Sequence, residues 1–153
     1  MIINIRSSGP KETMKIGENI AASLTSGAVI VLTGPLGCGK TVLTKGIARG
    51  LHIFDEITSP SFTIISSYTG DRQLFHIDLY RINHPEEFDE LGLEEILNSS
   101  LYLNAVSVIE WGEKAKGILP EETITINFKI DSGKHRTINI AGNITGNIAG
   151  LKS

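Results

Sequence analysis

Apolar residues run without interruption from Ala28 through Val29, Ile30 and Val31 to Leu32, the pattern of a strand buried on both faces. Before it, Lys11 to Ser26 carries apolar groups at Met14, Ile16, Ile20, Ala21 and Leu24, an imperfect helical spacing that predicts a helix laid on the coming sheet. After it, Val42 to Leu51 is compatible with a second helix. Two β-rich runs follow, Ser61 to Tyr68 and Gln73 to Tyr80, and Thr69-Gly70-Asp71-Arg72 between them predicts a hairpin turning at Gly-Asp. His84-Pro85-Glu86-Glu87, with proline near the first turn, opens a short acidic helix, and Glu94-Glu95-Ile96-Leu97 predicts a second short piece. Ala105 to Ile109 is another largely apolar core strand, ending in Glu110-Trp111. Past Leu119-Pro120, Thr123 to Ile130 and Arg136 to Ile140 alternate and join through Asp131-Ser132-Gly133, a second hairpin.

Strands alternating with helices at the front and hairpins behind predict an α/β fold, a three-layer sheet with a parallel core and antiparallel hairpin additions. Its 153 residues with 41% hydrophobic content fill one good core, so a single domain over 1–141 is expected. The small, glycine-rich, polar stretch 142–153 is expected to fray. A net charge of −3 and five arginines argue against a surface that neutralises many phosphates, so no direct binding of long nucleic acid is expected and any RNA connection is indirect. No apolar stretch approaches the roughly 20 residues that span a bilayer, and the start lacks the layout of a signal peptide, so no membrane and a cytoplasmic location are expected. The lone Cys38 excludes an internal disulfide.

Between the first apolar strand and the helix after it, Gly34-Pro35-Leu36-Gly37-Cys38-Gly39-Lys40-Thr41 fits the phosphate-loop pattern G-x-x-x-x-G-K-[ST]. Glycines let the backbone N–H groups turn inward, and with the helix N-terminus they make an anion cradle from Pro35, Leu36, Gly37, Cys38, Gly39, Lys40, Thr41 and Val42. Lys40 would reach the β/γ-phosphates and Thr41 would set its hydroxyl on magnesium. Such a loop needs an acid at the end of a neighbouring apolar strand, and Asp78 and Glu110 each follow one. The run before Glu110 is the more uniformly apolar, which makes it the central strand and Glu110 the metal-side carboxylate; Asp78 then serves the water or stands behind the metal.

Thr58-Ser59-Pro60-Ser61-Phe62-Thr63 is a hydroxyl-rich loop with two readings: a switch segment offering Thr58, Ser59 and Ser61 to the γ-phosphate, or a capped connector. Cys38 sits in the loop's amide cluster, which favours thiolate and predicts alkylation blocked by nucleotide; inert filler is the alternative. His76, on an alternating strand, reads as a structural histidine without catalytic role. Phe88 and Leu91 form either part of a solvated helix's inner face or a docking stripe, and Trp111 either packs or makes a contact.

The phosphate loop, Thr58 to Thr63, His76-Ile77-Asp78-Leu79-Tyr80-Arg81, Glu90-Leu91-Gly92-Leu93 and Val108-Ile109-Glu110-Trp111, in this order and spacing, resemble the bacterial TsaE (YjeE) family from about Thr13 to about Leu119. The resemblance implies a P-loop NTPase-type fold and the ATPase subunit of the machinery that makes threonylcarbamoyladenosine beside the anticodon, with ATP and Mg2+ as ligands and TsaB and TsaD as partners. It also implies phosphate and magnesium binding by Lys40 and Thr41, a magnesium-associated Glu110, an essential Asp78 and a tryptophan, Trp111, after the glutamate. The family loop usually has aspartate at the place of Pro35 and often alanine at that of Cys38, neither among the phosphate-holding positions. Ser8 to Thr13 and Lys134 or Arg136 are candidates for its base-side contacts. The implied activity is a magnesium-dependent ATP switch, slow alone because no arginine finger is evident in cis; a small-molecule kinase on the same loop is the alternative, though its usual arginine-rich lid is missing.

Overall fold

The computed structural model describes residues 2–58, 64–84, 86–142 and 144. Seven strands form one sheet: β1 (Ile2–Ser7), β2 (Ala28–Thr33), β3 (Ile65–Thr69), β4 (Gln73–Asp78), β5 (Val106–Glu110), β6 (Ile124–Ser132) and β7 (His135–Ala141). Their order is β1-β7-β6-β2-β5-β4-β3. Strands β6, β2, β5 and β4 run parallel, while β1, β7 and β3 pair antiparallel to their neighbours. Both expected hairpins exist, and each lends its inner strand to the parallel block, which widens that block beyond the two apolar runs that announce it.

Strand β2 is buried along its length because it carries two cores. Ile30 and Leu32 face one side with helix α1 (Pro10–Ser23) and helix α2 (Lys40–Gly50), whose Ile16, Ile20, Leu43 and Ile47 complete a hydrophobic cluster. Val29 and Val31 face the other, under helix α3 (Glu86–Leu91), helix α4 (Leu93–Tyr102) and the short 3-10 helix Gly112–Ile118. The expected three layers follow from this alternation. Phe88 is 6% exposed and Leu91 packs beside it in the second cluster, so the docking stripe read from their spacing is instead core-facing. Ile144 is also buried, in the first cluster and just beyond the expected boundary at 141; residues 143 and 145–153 of the tail lie outside the described residues.

Helices α1 and α2 cross with backbones almost touching. A Cβ on Gly46 would meet the Met14 carbonyl oxygen at 2.1 Å, and one on Gly17 the Leu43 carbonyl oxygen at 2.5 Å. That closeness fixes where α2 begins, and so where the loop before it stands.

Cys38 lies under this loop, 1% exposed in the first cluster, with its Sγ packed towards Gly34. Burial pushes its thiol up, and the positive charges of Lys40 and Arg136 only partly offset this. The expectation of a reactive thiolate is therefore overturned: desolvation of the charged form outweighs the helix N-terminus.

Replacing Gly46 by alanine forces two backbones apart and is expected to cost about 2–3 kcal/mol in urea unfolding, whereas Gly117→Ala, whose Cβ meets nothing within 4 Å, should be nearly neutral. Cys38 should resist iodoacetamide in the native protein with or without nucleotide and react fully once unfolded. Because its native thiol holds the proton more tightly than the unfolded one, stability is complete below about pH 8.5 and falls above it. Urea midpoints between neutral and alkaline pH should decline less steeply for Cys38→Ser than for the unmodified chain.

Candidate nucleotide-binding site

The carboxyl ends of β2, β5 and β4 open side by side, and register decides what stands there. Asp78 lies opposite Glu110, and Glu110 opposite Leu32, the last strand residue but one before the loop. Ligands on open α/β sheets collect at such strand ends. The loop turns from β2 into α2 through Gly34, Gly37 and Gly39, with φ of 141°, 77° and 113°, a region L side chains rarely enter. Helix α2 starts at Lys40, which puts Thr41 in its first turn.

A cleft of about 370 Å³ opens over this loop, walled by Leu36, Gly37 and Gly39 to Val42 on one side and by Asp78, Tyr80, Glu110 and Trp111 on the other. The volume is within the range of small-ligand sites. A hollow of about 470 Å³ at the opposite end of β2 presents Glu122 but no cation, so it offers nothing to a phosphate.

Within the cleft the Lys40 ammonium, 4% exposed, donates to the Gly34 carbonyl at 2.7 Å and stands 3.7 Å from the centroid of the Trp111 ring. Trp111 holds that place with φ of 60°, unusual for a bulky residue, and its ring tilts against Tyr80 at 5.1 Å. Both readings of Trp111 are thus partly met: the ring is half-buried and faces the cleft. Lys114 ties the two strand-end segments together by donating to the carbonyls of Tyr80 at 2.7 Å and Ile82 at 2.9 Å.

The Thr41 hydroxyl donates to both oxygens of Glu110, each at 3.3 Å. Glu110 is 4% exposed, and on its far side His76 Nε2 lies 2.6 Å from Oε2. Asp78 is half-buried and accepts the Tyr80 amide at 3.0 Å. One hydroxyl and two carboxylates make an all-oxygen donor set that suits magnesium, which takes one or two carboxylates and completes its shell with phosphate and water. Among the described residues no group of three His, Cys, Asp or Glu side chains is placed to hold a metal ion.

The N-terminal segment and the late hairpin also meet at the loop. Gly9, Pro10 and Thr13 line a small hollow with Gly37 to Gly39, Lys134 and Arg136. Arg136 donates from Nε to the Cys38 carbonyl at 3.0 Å and from a terminal nitrogen to the Gly37 carbonyl at 3.3 Å. Sequence reasoning weighed Arg136 only as a base contact, and nothing in local spacing announces this grip on the loop across 98 residues. It also read His76 as merely structural, missing its contact with Glu110. Thr58 is exposed, while Ser59 and Ser61 lie outside the described residues.

The model of the family described as "Threonylcarbamoyl adenosine biosynthesis protein TsaE" matches residues 7–138. The tRNA threonylcarbamoyladenosine biosynthesis protein TsaE of Treponema pallidum (strain Nichols) is 40% identical over 131 residues, covering 86% of this chain and 94% of the relative. Its namesake in Bacillus subtilis (strain 168) is 38% identical over 134 residues, covering 87% and 81%. The crystal structure of Bacillus subtilis YdiB superposes with a TM-score of 0.75 at 31% identity, over 99% of this chain and 91% of that one. Across the strands that build the cleft as well as the loop within it, the chain belongs to the TsaE family of tRNA threonylcarbamoyladenosine biosynthesis proteins.

Proposed function

We propose that this member of the threonylcarbamoyladenosine pathway is a magnesium-dependent ATPase that acts as a nucleotide switch on a TsaB–TsaD pair in the cytoplasm and meets tRNA only through it. The observation that supports this most is the Thr41–Glu110 contact, because it joins the phosphate loop to a desolvated strand-end carboxylate where a metal-bound triphosphate would sit. Loop amides between Leu36 and Val42, after Pro35, which has no N–H to give, cradle the β- and γ-phosphates, and Lys40 turns from the Gly34 carbonyl and the Trp111 ring to the arriving charge. Thr41 and Glu110 hold magnesium, which neutralises phosphate charge. Asp78 orients the attacking water from the adjacent strand end, as positioning and charge stabilisation are most of what phosphoryl transfer asks of a protein. Gly9 to Thr13, Lys134 and Arg136 flank the base side, and Thr58, Ser59 and Ser61 belong to the segment that senses the γ-phosphate. No helix among the described residues is long and apolar enough to cross a membrane.

Phosphate release should be slow for the isolated chain and rise at least about tenfold when TsaB and TsaD are added, with no transfer to a metabolite pool; transfer without release would make the chain a kinase instead. Pull-down of the pair should require ATP and be lost with Lys40→Ala. Trp111 is the sole tryptophan, and nucleotide should change its emission as Lys40 leaves its ring. An unchanged spectrum at saturating nucleotide would mean that Lys40 stays over the ring and does not move to the phosphates.

A further inference from the structure

Strand β4 sends Leu74 to the core beneath α1 and α2, and Phe75 and Ile77 to the opposite one. His76 therefore takes the same side as Leu74, at a position where an aliphatic side chain would be the ordinary filling. It is fully buried, and its Nδ1 is the one buried side-chain nitrogen or oxygen among the described residues without a hydrogen-bond partner. Burying a ring nitrogen unpaired carries a cost that leucine would not incur, so something on the other nitrogen must offset it. What that nitrogen meets is Glu110 Oε2, at 2.6 Å.

We infer that His76 is a positioning residue for the magnesium site: its Nε2–H fixes the Glu110 carboxylate so that the group stays aimed at Thr41. This rests on the reading of Glu110 as the metal-side carboxylate. A glutamate has three side-chain torsions, and the one Thr41 hydroxyl, shared between both carboxylate oxygens at 3.3 Å, leaves the group room to turn. The shorter bond from His76 comes from the neighbouring parallel strand, whose register sets His76 beside Val108 and Asp78 beside Glu110. The tether also keeps Glu110 off the Lys40 ammonium. Lys40 and Glu110 form no ion pair with each other, and Lys40 donates to Gly34 instead. The lysine is thereby left for phosphate, and the glutamate for the ion. Groups that hold a metal-ligating side chain in one orientation are commonly worth about 10–100-fold in metal affinity.

The test measures binding of a non-hydrolysable ATP analogue by calorimetry, at one pH, in EDTA and across a magnesium series. The unmodified chain should bind the analogue more tightly as magnesium rises. His76→Leu should need about tenfold more magnesium for half its effect while binding in EDTA changes less than about twofold, and His76→Gln, whose amide reaches the Nε2 position, should recover most of the loss. Mn2+ electron spin resonance with the same analogue should rank the proteins in the same order. A folded His76→Leu with an unchanged magnesium requirement would overturn the inference, as would a His76→Gln as impaired as leucine. Should the leucine variant fail to fold, His76→Gln and His76→Asn decide: the shorter amide cannot reach Glu110, so equal magnesium requirements would overturn it. Nitrogen shifts of His76 in the unmodified chain should show the proton on Nε2, and finding it on Nδ1 would also overturn it. If magnesium has no effect on the unmodified chain, the reading of Glu110 itself fails and this inference with it.

Discussion

A carboxylate with 4% of its surface exposed, at the end of a strand buried on both faces, is the constraint around which the site is arranged. Glu110 cannot be left there without donors, since desolvating an unpaired charge costs far more than one hydrogen bond returns. Its donors come from two different elements. Thr41 reaches it from the first turn of α2, and His76 from β4. Both contacts require β2, β5 and β4 to keep their parallel register, because a slip of one residue would turn His76 to the opposite face. The geometry of the site and the pairing of the central sheet are thus one condition.

The phosphate loop is short, but the parts that hold it are far away in sequence. Gly34 lies so close to Phe128 of β6 that a Cβ would meet the Phe128 carbonyl oxygen at 2.9 Å. Arg136 of β7 takes the Gly37 and Cys38 carbonyls, and the Cys38 amide donates to the Pro35 carbonyl at 3.2 Å. Trp111 of β5's far end takes one side of Lys40. A loop rich in glycine has much conformational entropy to lose, and this external bracing bears the loss before any ligand arrives.

These distances explain what sequence could and could not disclose. A strand, a glycine-rich turn and a helix lie within about two dozen consecutive residues, so their chemistry is legible in one pass, as is the run of apolar residues that leads to Glu110. The partners that cross the sheet are not. His76 sits 34 residues from Glu110 and Arg136 98 from Cys38, and neither separation has a period or spacing to mark it. Cys38 failed for a different reason. Its neighbours along the chain argue for a thiolate, while its burial is a property of β6 and β7 packing and decides the matter. Phe88 and Leu91 show the same limit, for three-residue spacing defines a helix face without saying which way that face looks.

Charge around the cleft bears on the partner dependence proposed above. Among the described residues that line it, Lys40 is the one cation, set against Asp78 and Glu110. A triphosphate brings several more negative charges into that balance, so one lysine and a divalent ion leave the transferring group under-compensated. Three of the chain's five arginines are engaged away from the γ-phosphate position. Arg72 holds the carbonyls of Leu24 and Ser26, Arg49 reaches Met14 and Glu18, and Arg136 braces the loop from behind. Moving any of these three to the γ-phosphate would break the contacts it makes. A positive group supplied by another protein at the open side of the cleft, where Leu36 and Tyr80 are exposed, would meet the deficit without disturbing the fold.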